Sequence, residues 1–140
     1  MKTRFLALLT VVCLAGAALA APKSKITDIK QALAAAKAQN KLLFLEMGRP
    51  NCENCETLHQ MIAKNAVSLP DLQYVYADVS ADDRATFHAF SRQFNVSGPE
   101  LPFVVIASPD GVLLASHTGA GSAADYQKML KTAEKAVKKK

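Results

Sequence analysis

Residues 42–55 read LLFLEMGRPNCENC, and this stretch decides the fold. Residues 42–47 form a short, mostly apolar run that ends at Gly48, which predicts a buried strand. A helix is predicted to start at Cys52 and to run to about residue 65. Because Cys52 and Cys55 lie three residues apart at this helix start, their sulfur atoms can reach disulfide distance.

The chain before and after this stretch alternates between helical and strand patterns. Upstream, a helix capped by Thr27 or Asp28 is predicted to continue to about residue 39. Downstream, residues 72–79 predict a second strand, after which Ser80 or Asp82 can cap another helix. The aromatic residues of that helix recur at helical spacing: Phe87, Phe90 and Phe94.

A hairpin and a last helix complete the pattern. Residues 103–107 predict a third strand, and residues 112–116 pair with it across the turn Pro109-Asp110-Gly111. Strands separated by helices imply parallel crossovers, whereas the hairpin adds an antiparallel edge. We therefore predict a single α/β domain with a central mixed sheet of about four strands flanked by helices. The last helix presents one apolar face: Tyr126, Met129, Leu130, Ala133 and Val137.

The N-terminal residues have the pattern of a signal peptide. Lys2 and Arg4 precede an apolar run, and Ala18-Leu19-Ala20 offers the small-x-small pattern of a cleavage site. We predict a signal peptide over residues 1–20 and one domain over residues 21–140, and therefore a periplasmic or secreted protein. An uncleaved membrane anchor and a lipoprotein at Cys13 are the alternatives.

Cysteine content and charge limit the classes of function. The chain has 140 residues, three cysteines and a net charge of +5. Cleavage after residue 20 removes Cys13, and a single remaining cysteine pair excludes a framework of several disulfides. The basic residues gather at the C-terminal end without base-reading or stacking side chains, so nucleic-acid binding is not expected. We expect a monomer.

The pair Cys52 and Cys55 predicts redox chemistry. Free backbone N–H groups and the positive end of the helix dipole favour a thiolate on Cys52, which is the species that attacks a disulfide. Cys55 would then resolve the mixed disulfide. Two alternatives stay open, namely an inert structural disulfide and a metal site that His59 completes in part.

These elements in this order resemble the thioredoxin superfamily over nearly all of residues 26–137, and in particular bacterial exported thioredoxin-like thiol–disulfide oxidoreductases. The resemblance implies that Cys52 is the exposed nucleophile and Cys55 the buried resolving thiol. It implies no cofactor beyond this redox-active disulfide and no metal. Pro102 matches the family's cis-proline, so the backbone of Leu101 is expected to contact substrate.

Glu46 interrupts the apolar run six residues before Cys52. The family commonly has a buried acid at this position. Burial is expected to raise the pKa of such a carboxyl, which could then take or give the proton of Cys55. The plain alternative is a glutamate at a strand end that reaches solvent.

The sequence departs from the family at the rim of the site. Arg49-Pro50-Asn51 stands where a Trp usually precedes the first cysteine, two extra residues separate Gly98 from Pro102, and Phe103 replaces a common Thr. These changes concern the choice of partner more than the fold.

Glu53 and Asn54 lie between the cysteines and should tune the redox couple. A negative charge on Glu53 disfavours a Cys52 thiolate and so favours a reducing protein, which Arg49 could partly offset. We therefore predict a reductase of protein disulfides outside the cytoplasm, recharged by a membrane electron donor. A disulfide oxidase or isomerase of the same fold, and a non-catalytic metal-binding or interaction protein, are the alternatives.

Overall fold

The computed structural model describes residues 25–139, so the predicted signal peptide and Cys13 lie outside the described residues. Within this range no helix combines the length and apolar character needed to cross a bilayer. The elements follow in the predicted order of helices and strands: α1 (Ile29–Gln39), β1 (Leu42–Gly48), α2 (Glu53–Ala63), β2 (Tyr74–Ser80), α3 (Arg84–Phe94), β3 (Phe103–Ala107), β4 (Leu113–Thr118) and α4 (Ala123–Lys138).

The four strands form one mixed sheet in the order β2-β1-β3-β4. β1 runs parallel to β2, as the intervening helix requires, and antiparallel to β3. β3 and β4 form the antiparallel hairpin. The prediction of a single α/β domain with a four-stranded mixed sheet is confirmed.

Side chains alternate between the two faces of the sheet, and helices cover both faces. α1 and α3 pack on the face that carries Leu43, Leu45 and Met47 of β1. α2 and α4 pack on the opposite face, against Phe44 of β1. Glu46 shares the face of Phe44, so this carboxyl is directed into the layer beneath α2.

The helix starts show where the sequence rules succeeded and where they did not. Asp28 caps α1, as predicted, and accepts a hydrogen bond from the backbone N–H of Gln31. The prediction that Ser80 or Asp82 caps α3 is wrong, because Asp83 takes that position. Ser80 instead accepts a hydrogen bond from the N–H of Asp82. This turn includes Asp82, so the helix begins one residue later than Asp82 as its cap would give.

The second strand begins later than the sequence pattern predicts. Tyr74 and the residue before it donate their N–H groups to the carbonyl of Pro70, which closes a turn over residues 70–74. Leu72 therefore lies in the turn and is 90% exposed, instead of opening a buried strand.

Candidate active site

Cys52 and Cys55 lie at the start of α2 and are joined in a disulfide, with Cα atoms 5.3 Å apart. Cys52 is the N-cap residue, and the N–H of Cys55 donates to its Sγ at 3.3 Å. Cys52 is partly exposed, whereas Cys55 is only 2% exposed. One sulfur can therefore meet a large substrate while the other is covered, which are the positions that an attacking and a resolving thiol require.

The segment before β3 lies against the cysteine turn. The peptide bond between Leu101 and Pro102 is cis, and Pro102 is buried. The side-chain amide of Asn54 donates to the carbonyl of Leu101 at 3.2 Å. Asn54, which the sequence suggested only as a tuning residue, thus connects the C-x-x-C turn to the loop predicted to contact substrate.

Glu46 lies beneath the disulfide and is fully buried. Its Oε2 accepts a hydrogen bond from the Tyr76 hydroxyl at 3.1 Å, and burial raises the pKa of Glu46. A Cβ atom on Gly48 would lie 3.1 Å from Cys55 Sγ and 3.5 Å from Glu46 Oε1. The Cys55 sulfur and the Glu46 carboxyl oxygen therefore face the same small space, which a glycine leaves free.

His59 lies between two carboxylates on this face of the sheet. Its Nε2 is 3.1 Å from Glu46 Oε2 and 3.2 Å from Asp78 Oδ2. The two carboxylates are neighbours because Glu46 and Asp78 are partners in the β1–β2 register. Polar contact with the Glu46 carboxylate raises the pKa of His59, which favours the charged ring.

The cluster of Glu46, His59 and Asp78 was not predicted from the sequence, although the sequence contains a signal for the place of His59. His59 lies four residues after Cys55, which places both on one helix face. The contribution of Asp78 depends on the strand register, which the sequence does not specify.

Glu46, His59 and Asp78 each offer one possible metal-ligand atom, and these atoms lie within 4.8 Å of one another. Both carboxylates already have other donors, since Tyr76 donates to Glu46 and Lys25 pairs with Asp78. Within residues 25–139 this cluster is thus an ion-pair network. His59 is turned towards the carboxylates, and among the described residues no group of three close ligand atoms joins it to the two cysteines.

The charged residues around the cysteine turn are unevenly arranged. Glu53 and Glu56 both lie in the first turn of α2. Arg49 pairs with Asp82, with Nε and Oδ1 3.6 Å apart, and both side chains are about half exposed. The guanidinium is therefore engaged with the loop after β2, which reduces its capacity to offset Glu53.

The fold and the disulfide at the start of α2 define a thioredoxin-fold protein with a C-x-x-C centre. The thioredoxin-like domain family matches residues 29–134, and the chain belongs to this family. No curated protein sequence matches the chain.

Solved structures show the same fold at low sequence identity. The reduced thioredoxin pre-protein of Schistosoma mansoni is 19% identical, with a TM-score of 0.55 over 76% of this chain and 91% of that one. A thioredoxin from Thermus thermophilus is 21% identical, with a TM-score of 0.56 over 76% and 84%. A mutant thioredoxin from Halobacterium salinarum NRC-1 is 15% identical, with a TM-score of 0.57 over 78% and 89%.

The thioredoxin fold with a C-x-x-C disulfide supports thiol–disulfide oxidoreductase activity on protein thiols and disulfides.

Proposed function

We propose that this protein is a thiol–disulfide oxidoreductase that reduces the disulfides of other proteins outside the cytoplasm. The observation that carries the proposal is the arrangement of a partly exposed Cys52 at a helix start, a buried Cys55 behind it and a buried Glu46 facing Cys55. An inert structural disulfide would need neither the accessible sulfur nor the buried carboxyl.

The reaction begins from the dithiol form. The Cys52 thiolate attacks one sulfur of a substrate disulfide, the substrate S–S bond breaks, and a mixed disulfide forms. The departing substrate sulfur leaves as a thiolate and takes a proton from water. The N–H of Cys55, which contacts Cys52 Sγ, helps to stabilise negative charge on that sulfur.

Cys55 and Glu46 complete the turnover. The Cys55 thiol gives its proton to the Glu46 carboxylate, directly or through a water molecule, and the new thiolate attacks Cys52 Sγ. The mixed disulfide breaks and the second substrate sulfur leaves. Two electrons have then passed from the cysteine pair to the substrate, and the protein carries the disulfide Cys52–Cys55.

Charge at the start of α2 supports the reducing direction. Glu53 and Glu56 lie in the first turn, where their negative charge opposes a Cys52 thiolate and so favours the disulfide over the dithiol. A protein with a stable disulfide is a good electron donor when reduced. Turnover then needs a source of electrons, and for an exported protein that source is a membrane-bound donor.

Export is supported by residues 1–20, which have the charged start, apolar run and small-x-small end of a signal peptide. The same cysteine pair could run in reverse as an oxidase or isomerase. Residues 25–139 hold the elements of one thioredoxin domain without an inserted helical subdomain, and this simple architecture favours the reductase.

Insulin reduction with dithiothreitol as electron source tests the proposal. We expect the wild type to accelerate reduction and Cys52→Ser to abolish the acceleration. Cys55→Ser, reduced beforehand and freed of dithiothreitol before insulin is added, should accumulate a mixed disulfide with an insulin chain. Full activity in Cys52→Ser would contradict the mechanism. Absence of a trapped intermediate in Cys55→Ser would contradict the assignment of Cys55 as the resolving thiol.

A further inference from the structure

We propose that His59 is a positioning residue for the active site: its protonated ring, fixed between Glu46 and Asp78, keeps the buried Glu46 carboxyl ionised where it faces Cys55. The inference rests on the proposed function, because Glu46 can accept a proton from Cys55 only while it is ionised. It adds a residue from α2 to the chemistry that the cysteines and Glu46 perform.

The first observation is that the sheet places two acidic side chains next to each other, where their negative charges repel. Glu46 is fully buried, and its partner in the β1–β2 register is a second acid, Asp78, whose side chain is only 11% exposed. Two neighbouring carboxylates with little water disfavour each other's ionised form. A buried charge of this kind persists only when an opposite charge contacts it.

The second observation is that His59 supplies that opposite charge. Its Nε2 lies 3.1 Å from Glu46 Oε2 and 3.2 Å from Asp78 Oδ2, so one ring contacts both carboxylates. The side chain is 34% exposed, which lets the ring exchange protons with solvent while Glu46 cannot do so directly.

The other groups around the two carboxylates are neutral, paired with Asp78 or negatively charged, so the positive charge next to Glu46 comes from His59. Tyr76 on β2 donates a neutral hydrogen bond to Glu46, and Lys25, ahead of α1, pairs with Asp78. Glu56 on α2 approaches the other ring nitrogen, with Oε2 and Nδ1 3.8 Å apart, and adds further negative charge. Within residues 25–139, His59 is the one cationic side chain in contact with the Glu46 carboxylate.

The same contacts shift the pKa values of both groups. Burial raises the pKa of Glu46, and the contact with His59 acts in the opposite sense. The same contact is the largest cause of the raised pKa of His59. Each partner therefore stabilises the charged form of the other, as reciprocal coupling requires.

The decisive experiment is a titration of the Glu46 side-chain carboxyl by carbon-13 NMR in the oxidised, full-length protein. We expect His59→Gln to raise the pKa of Glu46 by about one unit or more, because the neutral amide cannot offset the carboxylate charge. His59→Lys restores a cation at this position and should return the pKa of Glu46 towards the wild-type value. His88→Gln removes an exposed histidine on α3 and should change nothing.

An unchanged Glu46 titration in His59→Gln would overturn the inference. So would a Lys variant that behaves like the Gln variant, since packing and not charge would then be responsible. If His59→Gln does not fold, the reciprocal measurement decides: Glu46→Gln should lower the pKa of the His59 ring, and an unchanged ring titration overturns the proposal.

Activity separates this inference from the proposed function. In insulin reduction, the rising limb of the pH–rate profile should move to higher pH in His59→Gln and return in His59→Lys. A wild type without reductase activity would contradict the proposed function, while the Glu46 titration would still decide the role of His59. If His59→Gln kept both the activity and the pH profile of the wild type, the inference about His59 would be overturned while the proposed function would stand.

Discussion

In the proposed mechanism, Glu46 is the residue on which the chemistry of the site most depends after the two cysteines. Its place in an otherwise apolar run, six residues before Cys52, together with the family resemblance, predicted a buried carboxyl, with a glutamate that reaches solvent as the alternative. What the sequence could not provide is how a buried charge is tolerated. His59 from α2 and Tyr76 from β2 both contact the Glu46 carboxylate and stabilise it. Neither contact can be predicted from spacing along the chain.

Replacing Glu46 by Gln should slow disulfide exchange while leaving the fold intact. The amide keeps the size of the side chain and can still accept the Tyr76 hydrogen bond, but it cannot take a proton from Cys55. We expect the rate of insulin reduction to fall by roughly tenfold to a hundredfold at neutral pH. Circular dichroism should show an unchanged spectrum.

Glu134→Gln is a matched control for this prediction. Its carboxylate accepts a hydrogen bond from the Tyr74 hydroxyl at 3.0 Å, just as Glu46 accepts one from Tyr76, but it belongs to α4 and not to the cysteine site. The control should keep the wild-type rate. Equal rates for Glu46→Gln and the wild type would remove Glu46 from the mechanism.

At the scale of single elements, the start of α2 determines both the geometry and the charge of the site. The sequence correctly indicated a helix start at the cysteine pair, and Cys52 is its N-cap residue, with α2 beginning at Glu53. The hydrogen bond from Asn54 to Leu101 was not predictable, because it joins residues 47 positions apart in the chain. Long-range contacts of this kind depend on packing and not on local pattern.

Glu53→Gln should make the cysteine couple more oxidising. Removing a negative charge beside Cys52 stabilises the thiolate and therefore the dithiol form. For a single solvent-exposed charge we expect a rise in reduction potential on the order of 20 mV, measured against glutathione. Glu56→Gln is the comparison, and it should have a smaller effect because Glu56 lies farther along the turn, towards His59. A lower potential in Glu53→Gln would contradict this account of the direction.

At the scale of the whole molecule, the sequence predicted the order of elements and the mixed sheet because apolar periodicity and turn residues are strong along this chain. The boundaries were less reliable. The apolar character of Leu72 favours a strand, yet the turn closed by Pro70 leaves it exposed. The sequence does not identify Asp83 as the cap of α3, because three neighbouring polar residues could all serve and only the turn geometry chooses between them.

The free energy of unfolding should fall as pH rises across the neutral range. Glu46 and His59 have raised pKa values in the folded protein, so the folded state binds more protons than the unfolded state above pH 4.5 and above pH 6.5, respectively. The stabilisation is lost as pH rises through the raised values. The capping carboxylates Asp83 and Asp125 have lowered pKa values, so their contribution is lost only in acid.

Guanidinium unfolding of the oxidised protein at a series of pH values between about 5 and 9 measures this dependence. Glu46→Gln should flatten the decline, since it removes one of the two groups and the main cause of the raised pKa of His59. Glu134→Gln should keep the wild-type slope. A slope that is the same in all three proteins would contradict the assigned coupling.

The central claim is that Cys52 and Cys55 form a working redox couple, and its reduction potential tests this most directly. The protein is equilibrated in dithiol–disulfide buffers of known potential, and the fraction of free thiol is read by alkylation. We predict one reversible two-electron transition near the value of cytoplasmic thioredoxin, about −270 mV. A midpoint near about −120 mV would contradict the reducing direction, and a disulfide that stays intact below about −300 mV would contradict redox function altogether.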